Sequence, residues 1–103
     1  MSNSGVPLWL SEHNKGWALV YFSTPECVSC PRARWQVIRL AQQYNVPLLE
    51  INAAAAINAH IVGEWDIQNV PTVVTCCDGL PIEKISVGSS VADVEAWLKA
   101  GIQ

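Results

Sequence analysis

Cys27-Val28-Ser29-Cys30 stands where the apolar run Trp17–Phe22 gives way to a segment with helical periodicity. Two cysteines at this spacing close a small disulfide ring, and the same spacing also supplies half of a metal site. Further along the chain, Val70-Pro71 places a proline just ahead of another apolar run. Together the two segments indicate a redox-active disulfide with a backbone platform beside it.

Composition limits the classes of protein to consider. The chain has 103 residues, half of them hydrophobic, which is enough for one domain with one core. Its net charge is −3 and it has no basic run, which argues against nucleic acid as a partner. No apolar stretch approaches the roughly 18–20 residues that span a bilayer, so we expect no membrane partner.

The N-terminus and the cysteine count predict the compartment. The first residues carry no basic region ahead of an apolar run, so we expect no signal peptide and a cytoplasmic protein. Four cysteines in such a chain favour catalysis or metal binding over a disulfide framework. Cys76 and Cys77 are adjacent and converge poorly on one metal ion, so we expect no metal site and interpret both as small apolar residues of a strand. A regulatory thiol or an intermolecular disulfide is the alternative.

Proline and glycine divide the chain into short elements. The predicted elements are a helix at 7–13, a strand at 17–22, a helix at 28–44, a strand at 46–52, a helix at 53–64, strands at 72–77 and 81–87, and a last helix that Gly101 ends. The order contains βαβ crossovers first and a hairpin last. It predicts an α/β fold whose mixed sheet carries helices on both faces, formed by a single domain 7–103 after a flexible N-terminus 1–6.

In this order the chain resembles the thioredoxin family over about residues 7–100. The resemblance rests on the apolar strand, C-x-x-C at a helix start, Val70-Pro71-Thr72 before the third strand, the Asp78-Gly79 hairpin, Gly88 after the fourth strand and an amphipathic last helix. It implies a thioredoxin-like fold with four strands, or five if the N-terminal region adds one. It also implies an enzyme, a thiol–disulfide oxidoreductase that reduces or exchanges protein disulfides.

The resemblance assigns roles to two pairs of residues. Cys27 precedes the helix and is expected to be the exposed nucleophile, since the thiolate attacks and a helix N-terminus favours the thiolate. Cys30 lies one turn inside and is expected to be the buried resolving thiol. Pro71 resembles the family's cis-proline, which turns the backbone of Val70 toward Cys27 so that a substrate segment can add as a short strand.

Four further residues are expected at the substrate surface. Glu26 stands where the family often has an aromatic residue, and its charge opposes formation of a thiolate next to it. Val28 and Ser29 lie between the cysteines, where residues tune the reduction potential. Trp65 precedes the Pro71 loop and is expected to line the substrate groove, with core or rim packing as the alternative.

The chain departs from the family beneath the cysteines. The buried acid of typical thioredoxins aligns with Tyr21, and its usual lysine neighbour aligns with Glu50. We therefore expect Glu50 to be buried, with a raised pKa, and to accept the proton of Cys30. The alternative is a solvated Glu50 at a strand edge.

The resemblance also implies partners, and two alternative functions stay open. It implies protein disulfide substrates, a thioredoxin-reductase-type electron donor, a role in electron transport and cell redox homeostasis, and no cofactor besides the Cys27–Cys30 disulfide. We expect a monomer. One rival is a thioredoxin-fold binding or assembly subunit with little redox activity. The other is a glutaredoxin-like, glutathione-dependent reductase, for which Cys77-Asp78-Gly79 offers a faint signal.

Overall fold

A computed structural model describes residues 5–87 and 90–102 of the chain. Residues 1–4 of the predicted N-terminal segment and Gly88 lie outside the described residues. The elements are α1 (Val6–Glu12), β1 (Trp17–Ser23), α2 (Cys30–Gln43), β2 (Leu48–Asn52), α3 (Ala59–Glu64), β3 (Thr72–Cys77), β4 (Leu80–Ser86) and α4 (Ala92–Ile102). Helix α1 thus begins at Val6, one residue ahead of the predicted domain start.

The strands form one mixed sheet in the order β2-β1-β3-β4. Strand β1 runs parallel to β2 and antiparallel to β3, and β3 and β4 form an antiparallel hairpin. The predicted α/β fold with a mixed four-stranded sheet is therefore confirmed. Central strands β1 and β3 are buried, whereas β4 at the edge is mostly exposed.

Helices cover both faces of the sheet, as the sequence predicts. Alternate residues of a strand point to opposite faces, and β1 shows this with Tyr21 in one core cluster and Phe22 in the other. Helices α2 and α4 pack on the face of Tyr21, while α1 and α3 pack on the face of Phe22. A strand between two layers needs apolar residues on both faces, which explains the uninterrupted apolar run Trp17–Phe22.

The predicted helix 53–64 and the start of the predicted helix 28–44 differ from the structure. The predicted helix 53–64 is one 3₁₀ turn, Ala56–Asn58, followed by the short helix α3. Asn52 causes the difference, because its side chain accepts the Ala54 N–H at 2.9 Å and its carbonyl accepts the Asn58 side-chain amide at 2.8 Å. Such local bonds compete with a helix. Helix α2 begins at Cys30 rather than near Val28, because residues 28 and 29 form a turn.

The last helix does not end at Gly101, as predicted, but continues to Ile102. Gly101 has a different function, since a β-carbon there would overlap the indole ring of Trp17. The glycine permits the close approach of α4 to the start of β1. None of the helices within the described residues is both long and apolar enough to cross a membrane.

The sheet brings the Cys27–Cys30 motif and the Val70-Pro71 segment to the same end of its central strands. Phe22, near the end of β1, pairs with Thr72, the first residue of β3. At this end of the sheet the chain leaves β1 toward Cys27, and at the same end it enters β3 from Pro71. The predicted dithiol and the predicted backbone platform therefore share one end of the sheet.

Candidate functional site

Cys27 and Cys30 are joined by a disulfide, with their α-carbons 5.3 Å apart. Two turns hold them between β1 and α2, because the Cys27 N–H donates to the carbonyl of Thr24 at 3.2 Å and the Cys30 N–H donates to that of Cys27 at 3.4 Å. Cys27 is half-buried, while Cys30 is 4% exposed. The more accessible sulfur is thus the one that precedes the helix.

Pro31 allows the helix to begin directly at the disulfide. It occupies the first turn of α2, where its missing N–H has no helical partner to lose. The N–H of Ala33, two residues further on, donates to the Ser29 carbonyl at 3.1 Å. The Ser29 hydroxyl lies 3.8 Å from the Cys27 sulfur.

A cleft of about 220 Å³ opens beside the disulfide. Its walls comprise Ser23, Thr24, Pro25, Cys27, Cys30, Pro31, Arg34 and Trp35. Trp35 is 62% exposed, and the Arg34 guanidinium carbon lies 5.4 Å from the centre of its ring, within cation–π distance. Sequence reasoning missed both residues. Their spacing from Pro31, three and four positions, is the signal that places them on its side of the helix.

Tyr21 lies beneath Cys30, where typical thioredoxins carry a buried acid. Its side chain is fully buried, and its hydroxyl donates to the Cys30 carbonyl at 2.8 Å. Burial, together with the nearby Glu50 carboxylate, raises the pKa of Tyr21 to about 12, while Arg34 acts in the opposite direction. The group beneath the cysteines is therefore neutral at physiological pH.

Glu50 does not have the buried surroundings that the sequence predicts for it. It pairs with Tyr21 across β1 and β2, but its side chain is 39% exposed rather than buried. Arg34 binds both carboxylate oxygens, Nε to Oε1 and Nη2 to Oε2, the latter at 3.4 Å. This hydrogen bond raises the pKa of Arg34 above its ordinary value. Edge strand β2 leaves Glu50 accessible to solvent, and a cation on α2 is its partner.

The Val70–Pro71 peptide bond is cis. The Pro71 carbonyl accepts the Val87 N–H at 3.1 Å, and the Thr72 hydroxyl donates to the Asn69 carbonyl at 2.8 Å. Within the described residues, by contrast, the backbone N–H and carbonyl of Val70 have no hydrogen-bond partner. The backbone of Val70, at the end of the sheet that holds the disulfide, is therefore available to pair with another chain.

The structure separates the other predicted surface residues into two groups. Glu26, Val28 and Ser29 are exposed beside the disulfide, and Val28 is 96% exposed. Trp65 is half-buried and packs edge-on against Phe22, with ring centres 6.0 Å apart. It lines a different cavity, of about 410 Å³, which also contacts the β3–β4 turn. Trp65 thus takes the packing position that the sequence offered as the alternative, and Trp35 is the tryptophan of the cleft.

The second cysteine pair lies away from the first. Cys76 is buried at the far half of β3, and burial raises its pKa to about 12. Cys77 is half-buried, and burial followed by the neighbouring Asp78 raises its pKa. Cys77 lies about 17 Å along β3 from Thr72, at the end of the strand near the disulfide, because a strand rises about 3.3 Å per residue. Among residues 5–87 and 90–102, no three His, Cys, Asp or Glu side chains gather where they could hold a metal ion.

No protein-family model matches the sequence, and no curated protein sequence matches it. Solved structures of thioredoxins, however, match its fold. The reduced Schistosoma mansoni thioredoxin pre-protein superposes with a TM-score of 0.85 at 18% identity, over 96% of this chain and 91% of that chain. Fasciola hepatica thioredoxin gives 0.80 at 20% identity, over 97% and 95%.

A third structure is in the same redox state as the disulfide seen here. Oxidised thioredoxin O1 from Arabidopsis thaliana matches with a TM-score of 0.80 at 14% identity, over all of this chain and 96% of that chain. The match covers nearly the full length of each protein, although few residues are identical. The chain therefore has the thioredoxin fold, as the sequence predicts.

Proposed function

We propose that this chain is a thioredoxin-type thiol–disulfide oxidoreductase that acts on protein disulfides. The observation that carries the proposal is the disulfide between half-buried Cys27 and buried Cys30 at the start of α2. An accessible sulfur backed by a buried one is the arrangement that thiol–disulfide exchange needs, because one thiol attacks and the other must resolve.

The reaction takes two exchanges. The Cys27 thiolate attacks one sulfur of the substrate disulfide and forms a mixed disulfide, and the other substrate sulfur leaves as a thiolate. Cys30 then attacks the Cys27 sulfur, which breaks the mixed disulfide and releases the second substrate thiolate. The substrate gains two electrons and two protons, and the Cys27–Cys30 disulfide forms. A thioredoxin-reductase-type donor would restore the dithiol, and no bound cofactor is required.

Val70 supports a protein rather than a small molecule as the substrate. Its backbone N–H and carbonyl have no hydrogen-bond partner within the described residues. They lie at the end of the sheet that holds the disulfide. An extended segment can pair with such a backbone unit and so bring its disulfide to Cys27. Glu26, Val28 and Ser29 are the exposed neighbours that this segment would meet. We further propose that the protein acts as a monomer in the cytoplasm.

Redox titration tests the proposed function. The purified protein is equilibrated in graded thiol/disulfide buffers, and the thiols of Cys27 and Cys30 are counted after alkylation. We expect a reversible two-electron transition, and a midpoint near about −270 mV would favour a reductase over an oxidase. The Cys30→Ser variant should accumulate a mixed disulfide with substrate, whereas Cys27→Ser should form none. Absence of a reversible disulfide would refute the proposal.

A binding subunit of the same fold is the second candidate. Two observations favour it: Glu26 is exposed next to Cys27, and the residue beneath Cys30 is neutral Tyr21 rather than an acid. Replacing Cys27 and Cys30 together by serine separates the candidates, since a binding subunit would keep its cellular function. For the glutaredoxin-like alternative, the Cys77-Asp78-Gly79 segment lies at the opposite end of β3 from the disulfide.

A further inference from the structure

One exposed face of α2 combines two arginines with a tryptophan. Arg32, Trp35 and Arg39 are exposed, and their spacing of three and four residues puts them in one row along the helix. We call these three residues the α2 face. Trp35 also lines the cleft that contains both sulfurs. The α2 face therefore begins at the disulfide and leads away from it.

The cations of this face are unpaired. Within residues 5–87 and 90–102, neither Arg32 nor Arg39 forms an ion pair, whereas Arg34 is bound to Glu50. Helix α2 contains no acidic residue and carries three of the six lysines and arginines of the chain. The whole protein has a net charge of −3, so the positive charge of α2 is opposite in sign to the net charge of the protein. Glu26, the exposed acid near Cys27, offsets it only at the disulfide end.

Helix stability does not explain the charges of the α2 face. Arg39 lies before the last turn of α2, where the helix dipole has little effect on a charge. Arg32 lies in the first turn, where the dipole favours an anion and disfavours a cation. Trp35, between the two arginines, is 62% exposed and adds apolar surface to the face. The arrangement instead suits an incoming chain that has both acidic and apolar side chains.

We propose that the α2 face docks an acidic, partly apolar segment of the substrate polypeptide next to its reactive disulfide. The inference rests on the proposed function and names its substrate class. An apolar side chain packs on Trp35, while carboxylates pair with Arg32 and Arg39. Charge complementarity of this kind raises the association rate and selects partners.

Helix geometry predicts where the carboxylates stand in the substrate. At 1.5 Å per residue, Arg32 lies about 3 Å and Arg39 about 14 Å along the axis from Cys30. The α-carbon of Cys30 is 5.3 Å from that of Cys27, to which the substrate cysteine would bond, so the start of the helix serves as the origin. An extended substrate advances about 3.3 Å per residue. Acidic residues about one and four positions from the reactive substrate cysteine would therefore reach the two arginines.

Matched peptides test the proposal. One peptide has glutamate one and four positions from a single cysteine, and the other has glutamine at both positions. Each cysteine carries mercaptoethanol in a mixed disulfide, and the second-order rate of its reduction by the reduced protein is measured. We expect the glutamate peptide to react about three- to ten-fold faster at low ionic strength. The ratio should fall below about two in 0.5 M NaCl.

Two variants locate the effect on the helix. In Arg32→Gln/Arg39→Gln the ratio of the two rates should fall to about one, because the pairing cations are gone. Lys15→Gln/Lys99→Gln is the matched control, since it changes net charge equally. Lys15 precedes β1 and Lys99 lies near the end of α4, so both are at the other end of the sheet. This control should keep the wild-type ratio, and a loss there would overturn the proposal.

Failure of docking and failure of the proposed function give different results. If exchange occurs but both peptides react equally at low salt, the docking proposal is wrong and the oxidoreductase stands. If the protein reduces neither the peptides nor a small disulfide, the proposed function fails. The docking proposal is then tested by the affinity of the protein for the two peptides. The Cys27→Ser/Cys30→Ser protein is then titrated with both peptides, their cysteines replaced by serine. Tighter binding of the glutamate peptide upholds docking, and equal binding overturns it.

Discussion

The hydroxyl of Tyr21 donates a 2.8 Å hydrogen bond to the carbonyl oxygen of Cys30. Both residues are buried, and the bond joins the middle of β1 to the first residue of α2. Typical thioredoxins have an acid at this place, which can exchange a proton. Tyr21 keeps its proton, because burial raises its pKa to about 12. Its contribution is positional, since it fixes the backbone of Cys30, the proposed resolving cysteine.

Replacing Tyr21 by phenylalanine removes this bond and keeps the ring. We expect the free energy of unfolding to fall by about 1 kcal/mol or somewhat more, because the Cys30 carbonyl loses a buried donor. Urea unfolding of the oxidised protein measures the change. Reduction of a peptide disulfide should also slow several-fold as the resolving sulfur loses its fixed position.

Tyr44→Phe is the matched control for this substitution. The Tyr44 hydroxyl donates to a carboxylate oxygen of Glu95 at 3.2 Å, and it is only half-buried. We expect Tyr44→Phe to cost clearly less stability than Tyr21→Phe, because water replaces the lost partner. An equal loss in both variants, with no change in the exchange rate of Tyr21→Phe, would refute the positional role.

Stability should decline at alkaline pH for a reason that the structure identifies. Burial raises the pKa of Tyr21 from 10.0 and that of Cys76 from 9.0, each to about 12. The folded state therefore holds these protons more tightly than the unfolded state does. Their stabilisation is complete below pH 9 and is lost as pH rises from 9 toward 12. By pH 11 we expect a loss on the order of 3 kcal/mol.

Urea unfolding at pH 8, 10 and 11 measures this loss, and two variants assign it. Tyr21→Phe and Cys76→Val each remove one buried titrating group, so each should flatten the decline between pH 9 and 11. Deprotonation of lysines affects all three proteins alike and cancels in the comparison. Parallel pH profiles for the wild type and both variants would contradict the assignment.

The Arg34–Glu50 pair predicts a small effect of Glu50→Gln. Both oxygens of Glu50 contact Arg34, and within the described residues none is bonded to Cys30. We expect exchange to stay within about two-fold and stability to change little, because exposed ion pairs contribute little to stability. Glu64→Gln, which breaks the exposed His60–Glu64 pair, is the control. A loss of about 100-fold in exchange would instead establish Glu50 as the proton acceptor.

The sequence allowed the fold to be predicted because its strongest signals are local. Strand β1 is a continuous apolar run, and such a run suits a strand covered on both faces. The helix after Cys30 has a clear apolar stripe. The predicted helix 53–64 fails because the decisive bonds come from one side chain, Asn52, whose competing contacts leave no periodic signal.

The candidate site could be predicted only where the chain itself brings residues together. Cys27 and Cys30 are three residues apart, so their pairing follows from spacing. The partner of Glu50 is 16 residues away on another element, and nothing in the strand pattern indicates Arg34. Whether Trp35 or Trp65 lines the cleft likewise depends on how α2 and α3 pack on opposite faces of the sheet.

Gly101 offers a test of how tightly α4 packs on β1. A methyl group at Gly101 would overlap the indole of Trp17, which also packs edge-on against Trp97 with ring centres 3.9 Å apart. We expect Gly101→Ala to lower the free energy of unfolding by about 1–3 kcal/mol, because one or both tryptophans must move. Gly63→Ala is the matched change in α3, where the new methyl group meets open space, and it should stabilise by roughly 0.5–1 kcal/mol. Thermal unfolding followed by tryptophan fluorescence measures both, and stabilisation by Gly101→Ala would show that the last turn of α4 does not pack against Trp17 in solution.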